Sequence, residues 1–427
     1  MNDPIEINES NVRSYARLFP AVFEMARGSR LWDRQGKEYI DFFCGAGSLN
    51  YGHNPPAVKQ ALIEYLQRDG VVLSLDMLTA AKIEFVRKFN EIVLSPRNLD
   101  YRLQFTGPTG SNAVEAAIKL ARKQTGRSHV IAFTRAYHGH SLGALMLTAN
   151  QYYHSDVYGS HNNVTHLPYD GYLGDFDTSS ILEKMLTDSS SGLPLPAAVV
   201  LETLQSEGGI NLASGPWLRK IAELCRVHDI RLIIDDIQIG NGRTGKFFSF
   251  EHAGIIPDLV CLSKSIGGGL PMSLVLIRPD LDIWKSGEHT GTFRGNNLAF
   301  VAGAAVLEHW RDTGFEQMIA DRGSIIQTHL DGLLKRYPGQ VTYRGRGMIW
   351  GVDVGSGLLA RRIIDRVFKE GLILEASGAD DQVLKIMPAL TIDVDTLRQG
   401  LKRLEAAIDK VLGNSAVPGE TPGTNQC

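Results

Sequence analysis

The chain has 427 residues, 43% of them hydrophobic and 21% charged, with 44 basic against 47 acidic side chains. That length predicts two to three domains, and the composition excludes a mainly disordered chain or one that needs disulfide or metal staples. A net charge of −3 excludes the one-signed field that holds nucleic acid or an anionic membrane surface. The opening MNDPIEINES has neither the basic nor the apolar region of a signal peptide. No run reaches the roughly 18 apolar residues of a membrane span, so a cytoplasmic location is expected. Cys44, Cys225, Cys261 and Cys427 are spaced for neither a zinc site nor a redox pair, and the first three, in apolar surroundings, are expected as buried free thiols.

In chain order, residues 1–30 read as an arm and 31–43 as a hairpin about Gln35-Gly36. Residues 54–70 read as an amphipathic helix with a proline start and a glycine stop. Short apolar runs then follow at 101–106, 129–134, 197–203, 231–236, 258–263 and 273–279, with helical patterns at 111–126 and 215–229 among them. Strands of this kind, bounded by helices, predict an α/β fold with a mainly parallel sheet covered on both faces. After about residue 300 the pattern changes to two helices, a hairpin at 341–354, a helix, a strand at VLKIMPALTI and a last helix. The expected division is an arm with part of a small domain (1–53), a large domain (54–304), a smaller α+β domain (305–413) and a mobile tail (414–427).

Gly240-Asn241-Gly242-Arg243-Thr244-Gly245 matches the GxGxxG pattern and, with Lys246, nearly fits a P-loop. Phe247 stands where a magnesium-binding hydroxyl is needed, and KFFSFEH does not open an amphipathic helix. A glycine-rich turn passing close to a ligand or partner is the alternative. Three other features are better placed for chemistry. Thr106-Gly107-Pro108-Thr109-Gly110-Ser111-Asn112 joins a strand to a strong helix, where free N–H groups and hydroxyls make a phosphate cup. Asp235, in LIIDD, ends an apolar strand, and a carboxylate there can pair with a protonated heteroaromatic nitrogen; a capping carboxylate is the alternative. Lys264 follows the apolar run DLVCL and precedes three glycines, a setting for a Schiff-base lysine whose amine must be partly neutral. Phosphate anchor, ring-nitrogen partner and imine lysine are together what pyridoxal 5′-phosphate requires.

From Asn11 to Leu412 the chain resembles the class III pyridoxal-phosphate aminotransferases. The resemblance is carried by GPTGSNAVEAAIKLAR, AYHGHSLGA, LETLQSEGG, IIDDIQIGNGRTG, LSKSIGGGLPM and GTFRGNNLA, in that order. It implies the fold type I architecture of these enzymes and pyridoxal 5′-phosphate as cofactor. It implies Lys264 as the lysine that binds the cofactor aldehyde, Asp235 as partner of the ring nitrogen and Gln238 near the phenolic oxygen. Gly110 and Ser111 would hold the phosphate, Tyr137 would stack on the ring beside His138, and Thr292 would reach the cofactor of a second copy in a homodimer or larger assembly. Glu202 would act as a gate toward the carboxylate-binding position, where many relatives have arginine and this chain has Lys385. A lysine lacks arginine's bidentate fork. Segments such as GAGSLNYGHN, LDMLTAAK and DGYLG further resemble members that move the amine of glutamate to aspartate 4-semialdehyde.

Overall fold

The computed structural model describes residues 8–13, 18–158 and 163–413, so the expected mobile tail and Cys427 lie outside the described residues. Three antiparallel strands come first: β1 (Phe23–Arg27), β2 (Arg30–Asp33) and β3 (Glu38–Asp41). The β2–β3 turn is the one expected at Gln35-Gly36. Asp33 Oδ1 accepts from Gln35 N at 3.0 Å and from Lys37 N at 2.9 Å, while Gly36 takes φ +77°. Helix α1 (Pro56–Gln67) starts on proline as expected. Helix α2 (Ala80–Lys88), whose N-cap Thr79 accepts from Lys82 N at 3.3 Å, has no counterpart in the sequence reading.

The chain continues through β4 (Arg102–Gly107), α3 (Gly110–Thr125), β5 (Val130–Phe133), β6 (Val164–Leu167), α4 (Ser179–Thr187) and β7 (Ala198–Leu201). A short hairpin, β8 (Leu204–Gln205) with β9 (Asn211–Leu212), precedes α5 (Gly215–Val227), β10 (Arg231–Asp235), β11 (Leu259–Leu262) and β12 (Ser273–Ile277). Seven of these strands make one sheet in the order β4-β12-β11-β10-β7-β5-β6. Only β12 runs against its neighbours, so the sheet is mainly parallel as expected, with one reversed strand. Strands β5, β7, β11 and β12 are buried at every residue. Ile233 packs into the cluster built on α3, while Leu232 and Ile234 face the cluster holding Trp217 and Leu218 of α5. Both faces are therefore covered, which is why these strands read as unbroken apolar runs.

Helix α6 (Asn297–Leu307) is apolar nearly all round and mostly buried. After it come α7 (Gly314–Arg336), β13 (Thr342–Arg346), β14 (Ile349–Asp353), α8 (Gly357–Lys369), β15 (Leu372–Ile373), β16 (Glu375–Ser377), β17 (Val383–Ile386) and α9 (Val394–Leu412). An antiparallel sheet, β13-β14-β17-β16, packs with these helices. Strand β15 instead pairs in parallel with β3, so the N-terminal strands close a sheet with the C-terminal region.

The glycine-rich loop at 240–245 is a junction between these parts. A Cβ on Gly242 would stand 2.5 Å from the Trp310 ring. The wholly buried Arg243 donates to Met348 O at 2.9 Å and also to Pro388 O and Asn50 Oδ1. Only a five-residue 3-10 helix, Ser249–Ala253, follows the loop, and no α-helix opens from it, so neither nucleotide pattern has its structural context. Cys44, Cys225 and Cys261 are buried free thiols. Among the described residues no helix is long and apolar enough to cross a membrane.

Candidate active site

The carboxyl ends of β4, β5, β7, β10 and β11 share one edge of the large sheet, the edge where open α/β sheets bind ligands. Asp235 is the last residue of β10 and sits opposite Cys261 of β11, three positions before Lys264. The carboxylate and the lysine therefore leave the same ends of adjacent parallel strands, the lysine three residues further out. Lys264 opens a tight turn, Lys264–Gly267, with φ +53°, a left-handed conformation that costs a lysine about 1 kcal/mol or more. Burial lowers its ammonium from the ordinary value, helped by the charge of Lys385 and opposed by Glu207, Glu375 and Asp235. No described residue takes a hydrogen bond from its Nζ. An unengaged amine at a strand end, its charged form disfavoured by burial, is a nucleophile's setting.

The Asp235 side chain is nearly dry, with Oδ2 2.7 Å from His138 Nδ1 and Oδ1 accepting from Ile237 N at 3.2 Å. Burial works against charge on the His138 ring, but the bond to Asp235 outweighs it and the imidazole is raised from its usual value. The neighbouring Asp236 points to the opposite face of the strand. Its Oδ2 accepts from Ser249 N at 3.0 Å, and burial pushes the acid up to about 7. Asp236 is thus the capping carboxylate, and Asp235 is the one that faces the site.

Helix α3 begins at Gly110, and the Thr109 N–H and hydroxyl both donate to Asn112 Oδ1, at 3.2 and 2.9 Å. This leaves the first N–H groups of a sixteen-residue helix, Gly110 and Ser111 among them, without intrahelical partners at the carboxyl edge of the sheet. Glycine is required here. A Cβ on Gly110 would come 2.9 Å from Ile237 Cδ1, and one on Gly139 would come 2.0 Å from Ser111 Oγ. The Gly110–Ser111 turn thereby lies against the end of β10. A helix N-terminus for phosphate, a dry carboxylate for a ring nitrogen and a free lysine for an aldehyde all lie at the carboxyl edge of the large sheet. The residues present fit pyridoxal phosphate.

Tyr137 follows β5 and lines the cleft, its phenol pushed up to about 12 by burial. Gln238 donates from Nε2 to Ala46 O at 2.8 Å and to Glu207 Oε1 at 3.0 Å. Thr292 is exposed, on a turn whose Gly291 packs against Thr106 O at the end of β4.

The expected pairing of Glu202 with Lys385 is not formed. Glu202 lies under the loop, accepting from Tyr137 N at 3.1 Å and Ser206 N at 3.3 Å, and burial pushes it up to about 8. Lys385, wholly buried on β17, instead holds two other carboxylates, Glu207 and Glu375, each with an oxygen 2.7 Å from Nζ. The second glutamate of LETLQSEGG, not the first, faces the cation. Glu207 follows the β8 hairpin, and the loop carries its carboxylate outward while Glu202 turns in beneath Tyr137. Glu375 was missed altogether. It is the direct cross-strand partner of Lys385 in the β16–β17 pair, a neighbour that only the strand register supplies.

Residues 12–408 match the class III aminotransferase family model. The chain is 52% identical to a diaminobutyrate–2-oxoglutarate transaminase of Wolinella succinogenes over 95% of both chains. It is 53% identical to one of Bordetella parapertussis over 95% of this chain and 94% of that one. Among solved structures, an ornithine aminotransferase from Toxoplasma gondii with pyridoxal phosphate partly occupying its active site matches with a TM-score of 0.82. Its identity is 27%, over 95% of this chain and 93% of that one. The chain belongs to the class III aminotransferases. It is a transaminase, and its cofactor is pyridoxal 5′-phosphate.

Proposed function

We propose that the enzyme transfers the amino group of L-glutamate to the aldehyde carbon of L-aspartate 4-semialdehyde, giving 2-oxoglutarate and L-2,4-diaminobutyrate. The observation that carries this reading is identity of 52–53% with transaminases of that name over nearly the whole of both chains. Pyridoxal phosphate supplies an aldehyde that takes up amines and a ring that draws electrons from the carbon bearing the amine. The helix α3 N-terminus, with Gly110 and Ser111, would bind the phosphate. Asp235, held by His138, would keep a proton on the ring nitrogen, and Tyr137 and Gln238 would contact the ring and its phenolic oxygen. Lys264 Nζ would hold the cofactor aldehyde and, once released from it, would move the proton at the substrate carbon.

The two half-reactions make opposite demands on Lys385. Glutamate presents a carboxylate on its reacting carbon, whereas diaminobutyrate reacts at C4, a carbon that bears none. Glu207 neutralises Lys385 in the second case and yields it to the α-carboxylate in the first. The gate is therefore Glu207, with Glu202 a structural acid beneath it.

The active unit is a homodimer, with Thr292 lent to the partner's cofactor. In support, Val71, Val72, Met77, Leu78, Ile83 and Phe293 are each at least 46% exposed. Bonds from Ser74 N to Gly295 O and from Asn297 N to Val72 O join their segments into one apolar patch beside Thr292. We place the enzyme in the cytoplasm, feeding ectoine or siderophore synthesis. The test is a panel of aldehyde and keto-acid acceptors with glutamate as donor, read by mass spectrometry. Aspartate 4-semialdehyde should give the highest kcat/KM; a higher value for succinate or glutamate semialdehyde would reject this substrate.

A further inference from the structure

The position described above serves the carboxylate nearest the reacting carbon. The other end of each substrate also carries a carboxylate, and the spacing is the same in both. In glutamate the reacting C2 and the C5 carboxylate are three carbon–carbon bonds apart; in diaminobutyrate the reacting C4 and the C1 carboxylate are also three bonds apart. A single distal cation can therefore hold both substrates, so long as it is not already neutralised.

Lys385 cannot also be that cation, because it already serves the carboxylate nearest the reacting carbon and shares its charge with Glu207 and Glu375. Arg135 can. It lines the cavity of about 950 Å³ that also contains Tyr137, Tyr172, Glu207 and Glu375. Its guanidinium carbon lies 5.2 Å from the Tyr172 ring centroid, and no described residue gives it a hydrogen bond or ion pair. The other charged side chains on the lining are carboxylates, Asp156 and Asp381 besides the two glutamates. The Tyr172 ring holds the cation beside it, and the guanidinium N–H groups, without a described partner, can take a carboxylate in bidentate fashion.

The backbone at Arg135 is also costly. Ala136 N donates to Phe133 O at 3.2 Å, closing a four-residue turn whose third residue, Arg135, has φ +64°. Glycine or asparagine is the usual occupant of such a position. The turn is clamped on both sides. Gln205 Nε2 donates to Thr134 O at 2.7 Å, and Gly208 packs so closely that its Cβ would stand 2.3 Å from Arg135 O. Arg135 is thus fixed directly against the loop that carries Glu207, one residue before Gly208.

We infer that Arg135 binds the distal carboxylate in both half-reactions, the γ-carboxylate of glutamate and the α-carboxylate of diaminobutyrate. The inference rests on the proposed substrates. Arg135→Asn suits the turn and should leave the melting temperature unchanged or higher. It should lower kcat/KM for glutamate and for diaminobutyrate alike by about 10- to 100-fold, through KM, as loss of a bidentate charged contact does. L-Norvaline, with a methyl group in place of the distal carboxylate, should react within twofold of wild type, and Arg135→Lys should recover part of the loss. Binding of glutarate to the holoenzyme, followed by calorimetry, should weaken at least tenfold in Arg135→Asn. Unchanged glutarate binding, or a norvaline loss equal to the glutamate loss, would overturn the assignment. If the wild type instead prefers a different acceptor, the substrate proposal fails, and the glutarate measurement still decides the role of Arg135.

Discussion

Replacing Lys385 by methionine tests the buried cluster most directly. The change keeps the length and volume of the side chain and removes its charge. It leaves Glu207 and Glu375 facing each other, their side chains 30% and 17% exposed, with no cation between them. At 2.7 Å and an effective dielectric constant near 20, each ion pair gives about 6 kcal/mol of attraction, most of it offset by desolvation. Removing one partner exposes the unbalanced remainder, about 3–5 kcal/mol, and because solvent reaches Glu207 the lower end applies. For a chain of 427 residues, unfolding entropy scaled by length converts this to a melting-temperature loss of about 3 °C at pH 8. Glu207→Gln, which leaves Lys385 and Glu375 paired one to one, should cost about 1 °C or less. Replacing all three by neutral residues should recover most of the loss, since a whole buried ion cluster is close to neutral for stability.

The pH dependence has a definite sign. In the native protein Glu375 is raised from its ordinary value by burial, with repulsion from Glu207 adding to it, while Glu207 is lowered by Lys385. Without Lys385 both carboxylates titrate higher than when unfolded. The folded variant then gains protons first, and its deficit is largest at high pH and shrinks as pH falls toward 5.5. Calorimetric scans of both proteins between pH 8 and 5.5 would show this. A variant as stable as wild type at pH 8, or a deficit that does not shrink on acidification, would refute the charge argument.

Three further outcomes follow from the cofactor half of the site. Lys264→Ala should fold normally but lose turnover by at least about 10²–10⁴-fold, and borohydride should fix no cofactor to it, as peptide mass analysis would show. Asp235→Asn should retain cofactor nearly as wild type does, by absorbance after gel filtration, while kcat falls far more; small and equal effects on both would leave Asp235 a mere cap. Mixing inactive Lys264→Ala chains with inactive Thr292→Asp chains should regenerate one working site per heterodimer, and no recovery after verified subunit exchange would place Thr292 in its own chain's site.

The cofactor half was legible in the sequence because each of its groups is tied to a strand end. An apolar run reveals the strand, and the residues just beyond it must emerge at the sheet's edge. Asp235, Lys264 and the Gly110–Ser111 turn were located in this way, and Asp236 was separable from Asp235 only once strand alternation was fixed in space. The carboxylate half was not legible, for a physical reason. Glu202 and Glu207 are five residues apart in one motif, and which of them faces Lys385 depends on the path of the loop between β8 and β9. Glu375 is ten residues from Lys385 in sequence and becomes its neighbour only through antiparallel register. Arg135 looks like an ordinary surface arginine until its turn and Tyr172 are both known. Helix α2 escaped notice for a simpler reason: most of its residues are polar or half-exposed, so its apolar stripe is narrow.

This division has a mechanical consequence. Lys264 and Asp235 stand on the large sheet, whereas Lys385 and Glu375 stand on the small antiparallel sheet, so the distance between the reacting amine and the carboxylate position is set by how the two parts meet. Arg243 fixes that meeting. Its guanidinium is wholly buried and bridges the glycine-rich loop after β10 to Met348 and Pro388 on the C-terminal side and to Asn50 on the N-terminal side. Interactions between buried charges at 2.7 Å change steeply with separation, so a loosened junction would alter the choice between substrates before it unfolded the protein. The pattern that resembled a nucleotide loop is thus a structural junction. Gly242 lets the loop come close to Trp310, Gly347 lets it come close from the other side at Thr244, and Arg243 between them ties the loop to the N-terminal and C-terminal parts.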